Sequence, residues 1–124
     1  VRLTGARALG DDYGLVLPAG GAWSAAAVPF DNAEAIGPAP PLGLHALAGI
    51  WRLHQAPATR VEHPRGSLAV ASLLGCLTVP WVLPEQAGPL LENVMRFVSS
   101  GAYAHLYFSL GAELWAHLDP LSRP

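Results

Sequence analysis

The chain opens on alternation: Val1, Leu3 and Leu9 fall on one parity and Arg2, Thr4, Ala6 and Ala8 on the other. That two-residue period predicts a half-buried strand over residues 1–9. Gly10-Asp11-Asp12-Tyr13-Gly14 supplies turn chemistry, because Asp tolerates left-handed backbone and Gly adopts it freely. Leu15-Val16-Leu17 reads as a second strand, Pro18-Ala19-Gly20-Gly21 as a second turn, and residues 22–30, with Trp23 near their start, as a third strand. The pattern predicts a β-meander.

Residues 31–41, DNAEAIGPAPP, form a loop by composition, and their Pro-rich end favours extended polyproline geometry. Between 42 and 55 the period changes, with Leu44, Leu47, Ala48 and Trp51 recurring at three and four residues. This spacing predicts an amphipathic helix that Pro57 stops. A second Pro-bearing loop, 56–66, leads into the most apolar stretch, SLAVASLLGCLTVPWVLP, residues 67–84. It falls short of the roughly 20 apolar residues that span a bilayer, and Ser72, Thr78, Pro80 and Pro84 interrupt it. A helix over 68–77 would use good helix formers, with Ser67 as its cap and Pro80 at its end. A pair of strands, LAVASLL and LTVPWVL, would turn at Gly75-Cys76 and carry its prolines on an edge. The strand pair is the expectation adopted.

Pro89 suits a first helical position, and Leu91, Val94, Met95 and Val98 share one side of a helix over 89–100 that Gly101 would stop. The segment AYAHLYFSLGAELWAHLDP reads as a hairpin turning at Gly111-Ala112, with Leu106 opposite His117 and Phe108 opposite Trp115. The expected fold is therefore α+β, mainly one antiparallel sheet built from the N-terminal meander, the central apolar strand pair and the C-terminal hairpin. The helices 42–55 and 89–100 would lie on one of its faces.

Composition sharpens the functional expectation. At 124 residues the chain fits one domain, and its first Val and last Pro suggest a piece of a larger protein. Hydrophobic residues make up 52% and charged residues 13%, the latter about half the usual share, and the mean hydropathy is +0.33. Such a surface calls for cover by a partner or a second copy. Lysine is absent, and Ala, Gly, Pro and Leu dominate. A GC-rich genome, bacterial or viral, accounts for that bias. The opening VRLTGAR holds no apolar leader, which favours an intracellular chain.

Candidate chemistry is sparse. Cys76 is the single cysteine, so an internal disulfide is excluded, and it reads as a small core residue. The histidines His45, His54, His63, His105 and His117 stand in no HxH or HExxH spacing. Gly-x-Ser-x-Gly and a phosphate-cradling Gly-rich loop are absent. Asp11 and Asp12 read as turn formers. No catalytic residue, metal ligand or cofactor is assigned. The main charge feature is 51–65, where Trp51, Arg52, Arg60 and Arg65 gather with His54 and His63 against Glu62 alone. Arginine beside aromatics suits phosphate or single-strand contact, although a net charge of −2 argues against a domain-wide nucleic-acid footprint.

The expected function is a non-catalytic protein–protein interaction or assembly domain, self-associating as a homo-oligomer. Trp23, Pro80, Trp81 and Trp115 are the expected contacts, since aromatics near strand edges anchor interfaces. Two alternatives are a nucleic-acid-binding regulatory domain using 51–65, and a small hydrolase or metal enzyme with a His-containing site.

Overall fold

The computed structural model describes residues 14–28, 43–77 and 83–109. Chain contacts divide the protein into two compact units, Val1–Leu47 and Ala48–Pro124.

In the first unit, β1 (Leu15–Ala19) and β2 (Ala22–Ala26) form an antiparallel hairpin whose last pair is Ala19 with Ala22. Gly20 and Gly21 make the two-residue loop, and both hold positive φ, 55° and 88°. Side chains rarely accept that conformation, so the turn falls where the glycines are. Pro18 lies within β1, the edge strand among the described residues, where its missing N–H costs no ladder bond. β3 (His45–Ala46) adds antiparallel to the other side of β2, and Leu47 N–H continues the ladder to Trp23 O at 2.9 Å. The expected strands at 15–17 and 22–30 are thus present as β1 and β2. The expected strand 1–9 and residues 29–30 lie outside the described residues.

The second unit carries a different sheet. β4 (Ile50–Gln55) and β5 (Arg60–Glu62) flank β6 (Tyr103–Phe108), in the order β4-β6-β5. β4 runs parallel to β6 and β5 antiparallel to it. The helix expected over 42–55 is therefore corrected to β3 and β4. Gly43 holds φ at +117° and Gly49 sits mid-segment, each costing a helix about 1 kcal/mol against alanine. The ladder to β6 then decides the outcome, running from Ile50 N–H to Ala102 O at 2.8 Å through to Ala56 N–H on Phe108 O at 2.9 Å. At Gly49 a Cβ would stand 2.9 Å from Ala102 O and 3.1 Å from the Trp51 ring. Only glycine lets the two backbones approach there.

Two helices complete the unit. The first strand of the pair expected in the apolar stretch, 68–74, is corrected to α1 (Gly66–Leu74), with Arg65 rather than Ser67 at the N-cap and no side-chain cap hydrogen bond, while residues 78–82 of the second strand lie outside the described residues. Leu and Ala favour helix, and Ala69 and Leu73, four apart, are its buried residues. Apolar side chains all round this short helix hide its period from the sequence. Cys76, just past the helix, is exposed and not a core residue.

α2 (Pro84–Ser99) starts earlier than expected, with Pro84 rather than Pro89 in the first turn. Pro89 lies inside it and lacks the N–H that would reach the Glu85 carbonyl, but residues 84–89 are all exposed, so solvent can serve that carbonyl. Ser100 and Gly101 close the helix, Gly101 at φ +79° with its N–H on Val98 O at 3.1 Å, which matches the expected stop.

β6 is the strand expected at the start of the C-terminal hairpin. Its Leu106 pairs with Leu53 on one side and Val61 on the other, so the register placing Leu106 opposite His117 is corrected. A strand with neighbours on both edges has no free ladder there. Residues 110–118 lie outside the described residues. The core comprises Ala69 and Leu73 of α1, Val94 and Phe97 of α2, and Tyr103, Ala104 and Leu106 of β6. Among the described residues, two helices and two three-stranded, mostly antiparallel sheets make an α+β fold. No helix among the described residues is long and apolar enough to cross a membrane.

Candidate functional site

Residues paired across a sheet project from the same face, so the register sorts the polar side chains of β4, β5 and β6 into rows. One row reads His54, Tyr107, Arg60, and the next reads Arg52, His105, Glu62. Tyr103 belongs to the same face, two residues further along β6. The opposite parity holds Trp51, Leu53, Ala104, Leu106 and Val61.

In the first row the Tyr107 ring carries His54 stacked at 4.7 Å between centroids, with planes 18° apart, and the Arg60 guanidinium carbon 3.7 Å from its centre. These partners come from strands on opposite sides of β6. Arg60 also donates from Nε to Glu62 Oε1 at 2.9 Å. That hydrogen bond is the main reason the Glu62 carboxyl titrates below its ordinary value. Both groups are half exposed, so the pair adds little stability.

The second row meets α1. Ser72 Oγ lies 2.8 Å from His105 Nε2, 2.8 Å from the Tyr103 hydroxyl and 3.0 Å from Arg52 Nη1, which donates to it. Tyr103 OH also approaches His105 Nε2 at 3.4 Å, and the two rings meet edge to face. Burial holds the His105 imidazole below its ordinary pKa; the nearby His54 and Arg52 push the same way, and Glu62 opposes. Burial raises the Tyr103 phenol, against the Ser72 hydrogen bond. Both shifts favour neutral rings near pH 7.

A hydroxyl accepts two hydrogen bonds and donates one. With Arg52 and Tyr103 donating to Ser72 and Ser72 donating to His105, that capacity is filled. The Ser72–His105 distance matches a nucleophile beside its base, yet in this arrangement neither Ser72 lone pair is free to attack.

A groove of about 810 Å³ opens between the helices of the same unit. Its walls include Val70, Leu74, Met95 and Val98, Tyr103 also borders it, and His63 and Arg65 contribute charge-bearing side chains. Among the described residues no carboxylate lines it. Leu68 is 76% exposed, Met95 51% and Leu91 42%, so apolar surface continues beyond the groove.

The segment 51–65 is thus divided. Arg52 and Arg60 share a sheet face, Trp51 projects from the other, and Arg65 stands at the start of α1 by the groove. Trp23 is half-buried on β2 in the first unit, while Pro80, Trp81 and Trp115 lie outside the described residues. His45 is on β3 and His63 by the groove, His54 and His105 meet with ring centroids 4.9 Å apart, and His117 lies outside the described residues. Among the described residues no group of three or more His, Cys, Asp or Glu could hold a metal ion. Sequence reasoning missed Ser72, Tyr103 and Tyr107. The alternation Tyr103-Ala104-His105-Leu106-Tyr107 could have found the two tyrosines, whereas Ser72 joins them only once α1 is a helix. No family model, curated protein or solved structure matches the chain.

Proposed function

We propose that the Ala48–Pro124 unit is a non-catalytic assembly module that associates with a second copy of itself through the groove between α1 and α2. The observation that carries this reading is the exposed apolar stripe on α2, Leu91 and Met95 at i and i+4, with Met95 on the rim of a groove walled also by Val70, Leu74 and Val98. Charge is complementary as well. Glu92 is exposed next to Leu91 on the ridge, and the groove offers Arg65 with no carboxylate among the described residues. A two-fold contact would seat each copy's α2 ridge in the other's groove. Helix ridges packed into grooves bury the apolar side chains that single copies leave in water.

Sedimentation velocity over a concentration series tests this. A dimer that Met95→Glu converts to a monomer of unchanged circular dichroism is expected. A wild-type chain that stays monomeric at the highest soluble concentration rejects the reading.

A serine hydrolase is the second reading, favoured by the 2.8 Å separation of Ser72 Oγ and His105 Nε2. The filled hydrogen-bonding capacity of Ser72 weighs against it. Covalent labelling of Ser72 by a fluorophosphonate, lost in His105→Ala, would move this reading ahead of the first.

A further inference from the structure

We propose that Arg52, Ser72, Tyr103 and His105 form a binding site for a small oxyanion of the phosphate class, either inorganic phosphate or the phosphate group of a monoester. The four residues come from three elements and converge on one point. Arg52 arrives from β4, Tyr103 and His105 from β6 and Ser72 from α1, and each of the other three has a polar atom within 3.0 Å of Ser72 Oγ. A tie between helix and sheet needs two neutral partners, and the Ser72–Tyr103 pair already supplies them. The guanidinium is surplus to that role.

Arg52 is the anomaly. It is exposed, gives one of its five N–H donors to a neutral hydroxyl, and has no carboxylate within ion-pair distance among the described residues. The one acid on this sheet face, Glu62, is held by Arg60. Arg60 and Glu62 offset one another, which leaves the Arg52 guanidinium as the uncompensated charge among these described side chains. Burial is the main reason the His105 imidazole titrates below its ordinary value, and Arg52 and His54 add to it against Glu62.

The donors also fit the shape of phosphate. A guanidinium fork can hold two oxygens of a tetrahedral anion while hydroxyls reach a third from another direction. Ser72 and Tyr103 place two hydroxyls beside the guanidinium as the further donors. Carboxylates, being planar, would leave part of this three-element set unused.

The test is calorimetric titration of the purified chain with sodium phosphate in a phosphate-free buffer, with phenyl phosphate and acetate at matched ionic strength as separate arms. Saturable one-to-one binding of phosphate is expected, with none for acetate. Phenyl phosphate binding tighter than phosphate would identify a monoester as the better ligand. Phosphate alone binding would identify the free ion. Arg52→Gln should weaken binding by roughly tenfold or more, and Arg52→Lys, which keeps charge but loses the fork, by less. The His105 ring resonances should shift on phosphate addition in the wild type and not in Arg52→Gln, which separates a site at this cluster from one elsewhere. Neither phosphate nor phenyl phosphate saturating at millimolar concentration, acetate binding as tightly as phosphate, or Arg52→Gln binding at wild-type strength would overturn the proposal.

Discussion

Ser72 and His105 join α1 to the central strand of the second sheet through a 2.8 Å contact between Oγ and Nε2, and Tyr103 shares the same hydroxyl at 2.8 Å. Removing that hydroxyl strips a partner from two rings at once. Ser72→Ala is expected to cost about 1–3 kcal/mol, the range for leaving buried polar groups short of a hydrogen bond. Because Tyr103 is buried, adding Tyr103→Phe to Ser72→Ala should recover part of the loss. A double-mutant cycle by urea denaturation measures the coupling.

His105 gives the second unit a dependence on pH. Its folded-state pKa lies below the ordinary histidine value of 6.5, so between the two values the unfolded chain binds more protons than the folded one. Stability therefore rises with pH across that window and is lost as pH falls through the folded pKa. Denaturation midpoints for the wild type should drop as pH is lowered from 7 through the His range, and His105→Gln should flatten that slope. Proton-detected titration of the ring locates the folded value.

Two glycines predict opposite outcomes for one substitution. At Gly49 a new Cβ meets the Ala102 carbonyl at 2.9 Å, inside the closest approach that packed carbons tolerate, so Gly49→Ala should destabilise by about 1–3 kcal/mol. Gly88 lies in exposed helix with nothing within 4 Å of its Cβ position. Gly88→Ala should stabilise by about 0.5–1 kcal/mol. Thermal melts of the two variants beside the wild type settle both signs.

Nucleic acid is expected to bind weakly. Single strands are held by bases stacked on open aromatic faces, but Tyr107 is covered by His54 on one side and Arg60 on the other. Arg60 is paired with Glu62. Mobility-shift titration at low salt should give no complex below the micromolar range of nonspecific binding. A tight complex whose salt slope flattens in the combined Arg52→Ala, Arg60→Ala, Arg65→Ala variant would reverse that expectation.

Local signals carried part of the fold. The Gly20-Gly21 turn and the Gly101 stop are determined by residues within a few positions, and both stand where the sequence predicts them. The three- and four-residue spacing of Leu44, Leu47, Ala48 and Trp51 failed because β4 is fixed by a partner strand far along the chain, and no local period encodes that pairing. The apolar stretch failed for the opposite reason: with Leu, Val and Ala on every side, helix and strand periods look alike. The polar cluster depends on both errors being corrected. Arg52 and His105 share a face only when 50–55 is a strand, and Ser72 reaches them only when 66–74 is a helix.

The place of β6 between β4 and β5 sets an order of events during folding. The two outer strands are synthesised first and are close in sequence, yet they do not pair with each other. Each waits for a strand that leaves the ribosome only after both helices, so in a nascent chain ending before Tyr103 the second unit has two unpaired strands and no sheet of its own. Closing that distance is an entropic cost met late, which places this unit among the slower folders of its size. It also makes the interval before β6 arrives the time at which neighbouring nascent chains are most able to pair with one another.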